Sequence, residues 1–107
     1  MVGITGDVLA LDIDTVAAIE VGPGCLRRDL PSRASVRSWI VDMAPGAEWP
    51  FVDEHDEFGE DVYVISGEMI EGDTVYGPGT FLHFGANSSH KPRTETGLRL
   101  FGFNLKA

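Results

Sequence analysis

The sequence predicts an all-β fold in a single domain, and three observations carry that expectation. Short runs of apolar and β-branched residues alternate with clusters of Gly, Pro, Asn and Asp, so that a turn signal falls every several residues. Helical periodicity is weak along the whole chain. The length, 107 residues, holds one domain and leaves no room for a second. Many short strands at such spacing pack as a sandwich or a barrel. A hydrophobic fraction of 43% supplies a core without disulfide or metal staples.

Thr15 to Val21 reads as the first strand, because its β-branched content outweighs a helical alternative over Ile13 to Ile19; Gly22-Pro23-Gly24 ends it. Cys25 to Leu30 follows and stops at Pro31. Ser35 to Met43, with Val36, Trp39, Ile40 and Val41 inside it, is closed by Ala44-Pro45-Gly46. Asp61 to Ser66 carries the strongest strand signal, and Gly67 separates it from Glu68 to Glu71, which runs into the turn Gly72-Asp73. Val75 and Tyr76 lead to Gly77-Pro78-Gly79, Thr80 to Phe84 is another strand, Gly85 to Ser89 a turn, and Leu98 to Asn104 the last strand. Trp39, Phe81, Phe101 and Phe103 are read as core, Cys25 as a small buried hydrophobe, and His83 as a partly buried structural histidine. Tyr63 and Ile65, alternating toward the outer face, suit a homodimer contact.

Eight basic against 17 acidic side chains give a net charge of −9. That balance argues against nucleic acid, whose binders need a basic face to displace counterions from phosphates. It argues equally against an anionic membrane surface. Cys25 is the single cysteine and has no internal disulfide partner, so nothing points to an oxidising compartment. The first residues lack a positive n-region and carry Asp7, Asp12 and Asp14, unlike a signal peptide. No apolar run is long enough to span a bilayer. The expectation is a cytoplasmic protein without membrane or nucleic-acid partners.

Chemistry concentrates between Trp49 and His90. Asp53 and His55 stand two apart, so on an extended chain they share a face. Glu60 opens the next extended run, whose inward parity continues through Val62 and Val64, and His90 lies beyond a turn. Two imidazoles and one or two carboxylates inside a barrel make a donor set that suits iron, manganese, nickel or zinc.

In these residues the sequence resembles the cupin superfamily. The family's first motif is a His-x-His pair, three or four residues, a Glu, six residues and a Gly. Here it reads Asp53-Glu54-His55, four residues, Glu60, six residues, Gly67. The second motif is a Gly, five residues, Pro-x-Gly, two residues and a His, and here it reads Gly79, five residues, Gly85-Ala86-Asn87, two residues, His90. Ala44-Pro45-Gly46, Tyr63 to Glu68 and Gly22 to Leu30 also look like family text, so the likeness covers about Gly22 to Phe103. It is strongest toward the cupin-like domain of anti-sigma factors and small ketone-cleaving dioxygenases.

The resemblance implies a single-domain jelly-roll β-barrel over residues 1–107 with a divalent metal ion on Asp53, His55, Glu60 and His90. Asp53 replaces the first histidine of the pair, which adds negative charge to the site and alters its metal preference, or marks a site that no longer holds metal. Gly85-Ala86-Asn87 replaces Pro-x-Gly, and Gly and Asn both serve where a turn needs unusual backbone angles. A second register, with Glu54 and Asp56 as the pair, turns His55 to the opposite face; a bulge within Glu57-Phe58-Gly59 reconciles the two. The implied activity is that of a metal-dependent dioxygenase, isomerase or cyclase on a small, apolar or aromatic molecule, with Glu57 or a non-ligating Glu60 as general base. The alternatives are a metal- or metabolite-sensing module and a metal-free cupin. Arg37 and Arg99, each flanked by apolar residues, either clamp a substrate carboxylate or pair with surface acids.

Overall fold

The computed structural model describes residues 3–105. It contains ten strands: β1 (Ile19–Gly22), β2 (Cys25–Leu30), β3 (Val36–Met43), β4 (Asp53–Glu54), β5 (Glu60–Gly67), β6 (Met69–Glu71), β7 (Thr74–Tyr76), β8 (Phe81–Phe84), β9 (Ser89–His90) and β10 (Leu98–Leu105). The first strand begins later than the sequence suggests. The Asp12 carboxylate accepts the Asp14 N–H, and the Thr15 hydroxyl donates back to the Asp12 carbonyl. This local capping closes a 3₁₀ turn over Ile13–Thr15, which competes successfully with β propensity. No helix among the described residues is long and apolar enough to cross a membrane.

Six strands form one antiparallel sheet in the order β1-β2-β3-β10-β5-β8, and β4-β9 and β6-β7 form two smaller sheets. The last strand lies between β3 and β5, so early and late parts of the chain interleave in a jelly roll. Period-two alternation sorts the residues of this sheet. Cys25, Val41, Met43, Val62, Val64, Leu98 and Leu100 point inward and pack with Met69 of β6 into the core. Val64 and Met69 have no exposed surface, and burying each such side chain contributes about 1.5–3 kcal/mol.

The outer face carries the row Arg28–Ile40–Phe101–Tyr63–Phe81, read across β2, β3, β10, β5 and β8. Ile40 is buried although its parity points outward. Beside it Arg28 and Arg99 both bind the Asp42 carboxylate. Arg28 also donates to the Val16 carbonyl and Arg99 to Asp14, which draws that segment against this face. Arg99 is therefore a surface pairing arginine, as one of the two expectations held.

The core expectation fails for three aromatics. Phe101 and Phe103 are half-buried on the outer face, 6.4 Å apart, and Phe81 is exposed, because all three share the outward parity. Trp39 is inward and packs against the core. An inner Cβ at Gly102 would meet the Trp39 ring at 2.8 Å, so only glycine lets the indole lie flat on β10. His83 is exposed rather than partly buried, and its Nδ1 lies 2.6 Å from Asp61 across the β5–β8 pair. Cys25 is buried in the core as expected, its thiol donating to the Glu48 carbonyl at 3.4 Å.

Candidate metal centre

Two short strands bring the site together. β4 and β9 pair with Asp53 opposite His90, and the His55 N–H donates to the Ser88 carbonyl at 2.8 Å just beyond that ladder. Each strand is only two residues long, which is why neither stood out in the sequence. Glu60 enters from the start of β5, on the inward face shared with Val62 and Val64.

The chain reaches Glu60 through the turn Asp56–Gly59, closed by the Gly59 N–H on the Asp56 carbonyl. Gly59 has φ +69°, and a Cβ there would collide with the Phe84 carbonyl oxygen, so no other residue fits. This turn absorbs the register conflict: His55 faces inward and is buried, while Glu54 and Asp56 are exposed. Glu57 is also exposed on the turn and does not line the cavity described below, so the structure does not bring it to the site as a base. On the other side, Asn87 has φ +62°, the left-handed conformation that Asn tolerates and that this turn requires.

Asp53, His55, Glu60 and His90 each present one donor atom, all within 4.8 Å of one another. His55 Nε2 lies 2.7 Å from Glu60 Oε2 and 3.3 Å from Asp53 Oδ2. His90 Nε2 lies 3.3 Å from Asp53 Oδ2 and 3.5 Å from Glu60 Oε2. For bonds of about 2.0–2.2 Å, neighbouring donors around a first-row divalent ion stand roughly 3.0–3.5 Å apart. Three of these four separations fall in that range and the His55–Glu60 pair stands closer, at 2.7 Å, so two imidazoles and two carboxylates meet at one point as a donor set whose chemistry suits such an ion.

The far nitrogens of both rings are committed elsewhere. Ser88 donates its hydroxyl proton to the Gly85 carbonyl at 2.6 Å, so its oxygen accepts from His55 Nδ1 at 2.9 Å. His90 Nδ1 donates to Glu71 Oε1 at 2.6 Å. Each imidazole thus turns Nε2 toward the shared point. The Phe84 ring stacks on His90 at 4.0 Å and leans on His55 at 5.1 Å, fixing both orientations. Glu71, Ser88 and Phe84 were not singled out in the sequence. Glu71 left one signal: it shares the face of Met69 in a short apolar strand, where a carboxylate needs a partner.

Burial works to lower the His90 pKa, but hydrogen bonds from the Asp53, Glu60 and Glu71 carboxylates outweigh it and push it up to about 11. Burial works to raise Asp53, and the His90 hydrogen bond with the charges of both imidazoles holds it below its ordinary value. Without an ion, His90 is therefore an imidazolium that balances carboxylates.

Asp53, His55 and Glu60 line a cavity of about 280 Å³, and His90 borders a smaller void. The cavity wall is not that of a purely apolar site for an apolar or aromatic molecule: Arg27, Arg37, Asn104, Glu54 and Asp56 line it together with Trp39, Val41, Trp49 and Phe51. Met43, Val62 and Leu100 border instead the smaller void, of about 40 Å³, that Val41, Asp53, Glu60 and His90 also line.

No protein-family model matches the sequence, and no curated protein does. Solved structures do. The chain is similar to an RmlC-like cupin from Shewanella frigidimarina at 19% identity, covering 95% of this chain and 93% of that one with a TM-score of 0.77. It is similar to a putative acetylacetone dioxygenase from Methylibium petroleiphilum at 13% identity, covering 98% and 81%, TM-score 0.77. A chain of the Rhodobacter sphaeroides complex of SigE with the anti-sigma ChrR matches at 16% identity, covering 87% of this chain and 51% of that one, TM-score 0.75. At such identities what is shared is the architecture, and it is the one the two motifs implied: this chain has the cupin fold.

Proposed function

We propose that this protein is a metal-dependent cupin that holds a divalent ion on Asp53, His55, Glu60 and His90 and acts on a small organic molecule in the cavity above. The observation that carries this reading is the convergence of both Nε2 atoms on two carboxylate oxygens while both Nδ1 atoms are held by Glu71 and Ser88. Holding the far nitrogen so that Nε2 faces a shared point is how metal-binding imidazoles are oriented. A bound iron, manganese, nickel or zinc ion supplies a Lewis acid for a carbonyl or a centre that activates dioxygen, the chemistry of a dioxygenase, isomerase or cyclase. Asp53 and Glu60 offset the ion's charge, Phe84 excludes water from one side, and the cavity admits the molecule from the other.

The test is elemental analysis of the purified protein, before and after anaerobic addition of each ion. Close to one ion per chain is expected; a chain that takes up none has no metal chemistry. A second reading, a non-catalytic sensor, draws on the likeness to a chain of the SigE–ChrR complex and on a four-donor set that saturates a tetrahedral ion. Water-proton relaxation of the Mn²⁺-loaded protein separates the two, since an exchangeable water on the ion fits catalysis and its absence fits sensing.

The outer row supports a homodimer. Tyr63, Ile65 and Phe81 are exposed, and Tyr63 and Phe81 are register partners on adjacent strands. Sedimentation velocity should give a dimer that Tyr63→Glu dissociates; a monomeric wild type would remove this part of the reading.

A further inference from the structure

The geometry points to a small hydroxylated carboxylate anion as the molecule this cavity takes, with Arg37 as the residue that holds its carboxylate. The inference takes from the proposed function that the chamber above the four donors is the substrate chamber. Arg37 makes no hydrogen bond or ion pair among the described residues, although the chain carries 17 acidic side chains. Arg99 and Arg28, on the outer face, are by contrast both bound to Asp42. Arg27, also on the cavity wall, spends Nε and one terminal nitrogen on Asp29 and keeps the other terminal nitrogen free. A planar fork left open at the rim of a chamber matches a carboxylate bidentately.

Two further groups in the same wall lack partners. The Trp49 indole N–H and the Asn104 side-chain oxygen are buried and make no hydrogen bond. Leaving such groups unpaired is unfavourable, and a ligand that pairs them relieves that cost. Asn104 Oδ1 needs a donor, which a hydroxyl provides; Trp49 Nε1 needs an acceptor, which a hydroxyl or carbonyl oxygen provides.

Register sets their order. Arg37 is opposite Asn104 on β3 and β10, and the pairing of Phe103 with Asp61 places Asn104 next to Glu60 of β5. Cation, amide and metal-site carboxylate thus stand in one inward row, spanning two strand spacings or about 10 Å. The acids Asp53, Glu54 and Asp56 line the same cavity from β4 and the turn after it, not from β3 and β10. The carboxylate of a hydroxy acid is drawn to the arginine and repelled from these acids, which leaves its neutral hydroxyl oxygens toward Asp53, His55 and Glu60, the donors that line the cavity. The overall charge of −9 repels anions at long range, but salt screens that field beyond about 8–10 Å. A direct guanidinium contact acts within it.

The experiment is calorimetric titration of the protein with L-malate and with D-gluconate, each compared with its neutral amide. Both the Mn²⁺-loaded protein, with ion content measured, and the metal-free protein are titrated. At least one acid should bind ten times more tightly than its amide. Arg37→Gln should reduce that preference below threefold with ion content unchanged, and Arg37→Lys should restore part of it. Arg37 is exposed on β3, so its replacement leaves the fold intact, which circular dichroism verifies. An acid preference that survives Arg37→Gln, or no preference in wild type, overturns the inference. A chain that binds no ion defeats the proposed function instead, and the acid-against-amide comparison on the metal-free protein still decides this one.

Discussion

His90→Ala is expected to strip the protein of its metal and to destabilise the metal-free fold by about 3–5 kcal/mol near neutral pH, as when one partner of a buried charge cluster is removed. The ring stands among three carboxylates, 2.6 Å from Glu71, 3.3 Å from Asp53 and 3.5 Å from Glu60. Glu60 is buried, so once the imidazolium is gone its charge has lost a counter-ion that water does not replace. The pH dependence distinguishes this from a mere cavity. In the wild type His90 is raised from 6.5 to about 11, so its stabilisation is complete below 6.5 and is lost as pH rises toward 11. Asp53 is lowered from 3.8, so its share is present above that value and lost as pH falls through the depressed one. The stability gap between wild type and variant should therefore be widest at about pH 5–6.5 and narrow on both sides. Urea unfolding in chelator across that range measures it. A gap that is flat with pH, or smaller than about 1 kcal/mol, means that the cluster is solvated and His90 is not its counter-ion.

The four candidate donors were legible because strand parity and motif spacing depend only on neighbours in sequence. Glu60, Val62 and Val64 share a face wherever β5 goes, and Asp53 and His55 share one by the same rule. What was not legible depends on what a face meets. Phe81, Phe101 and Phe103 look like core by composition, but the sheet buries the opposite face, and no local pattern says which side is inner when both carry apolar residues. The polar chamber escaped for a similar reason. Arg37 and Asn104 are 67 positions apart and meet only because β10 inserts between β3 and β5. Glu71 was hidden differently: it belongs to a separate two-stranded sheet that reaches His90 only through the fold.

Glu71→Gln tests whether that hidden carboxylate is part of the site, and a loss of about 10–100-fold in metal affinity is expected although all four donors remain. The amide still accepts the Nδ1 proton of His90, so the ring keeps its orientation and only the charge behind it is lost. That charge favours both the proton and the metal on Nε2, but a divalent ion gains more from it than a single proton does. Its removal therefore weakens the metal more than it weakens proton competition. Binding an ion releases the His90 proton, so wild-type affinity should climb about tenfold per pH unit and continue toward the raised pKa of about 11. In Glu71→Gln the proton is held less tightly and the climb levels off sooner, so the two curves diverge as pH rises. Competition with a chelator of known affinity, from about pH 6 to 9, reads both curves. Coincident curves would mean that Glu71 favours the proton and the ion equally, and a variant that binds the ion more tightly than wild type would leave Glu71 as a partner of the metal-free imidazolium alone. Curves that separate upward would mean that a carboxylate behind His90, touching no ion itself, sets how strongly the four donors hold one.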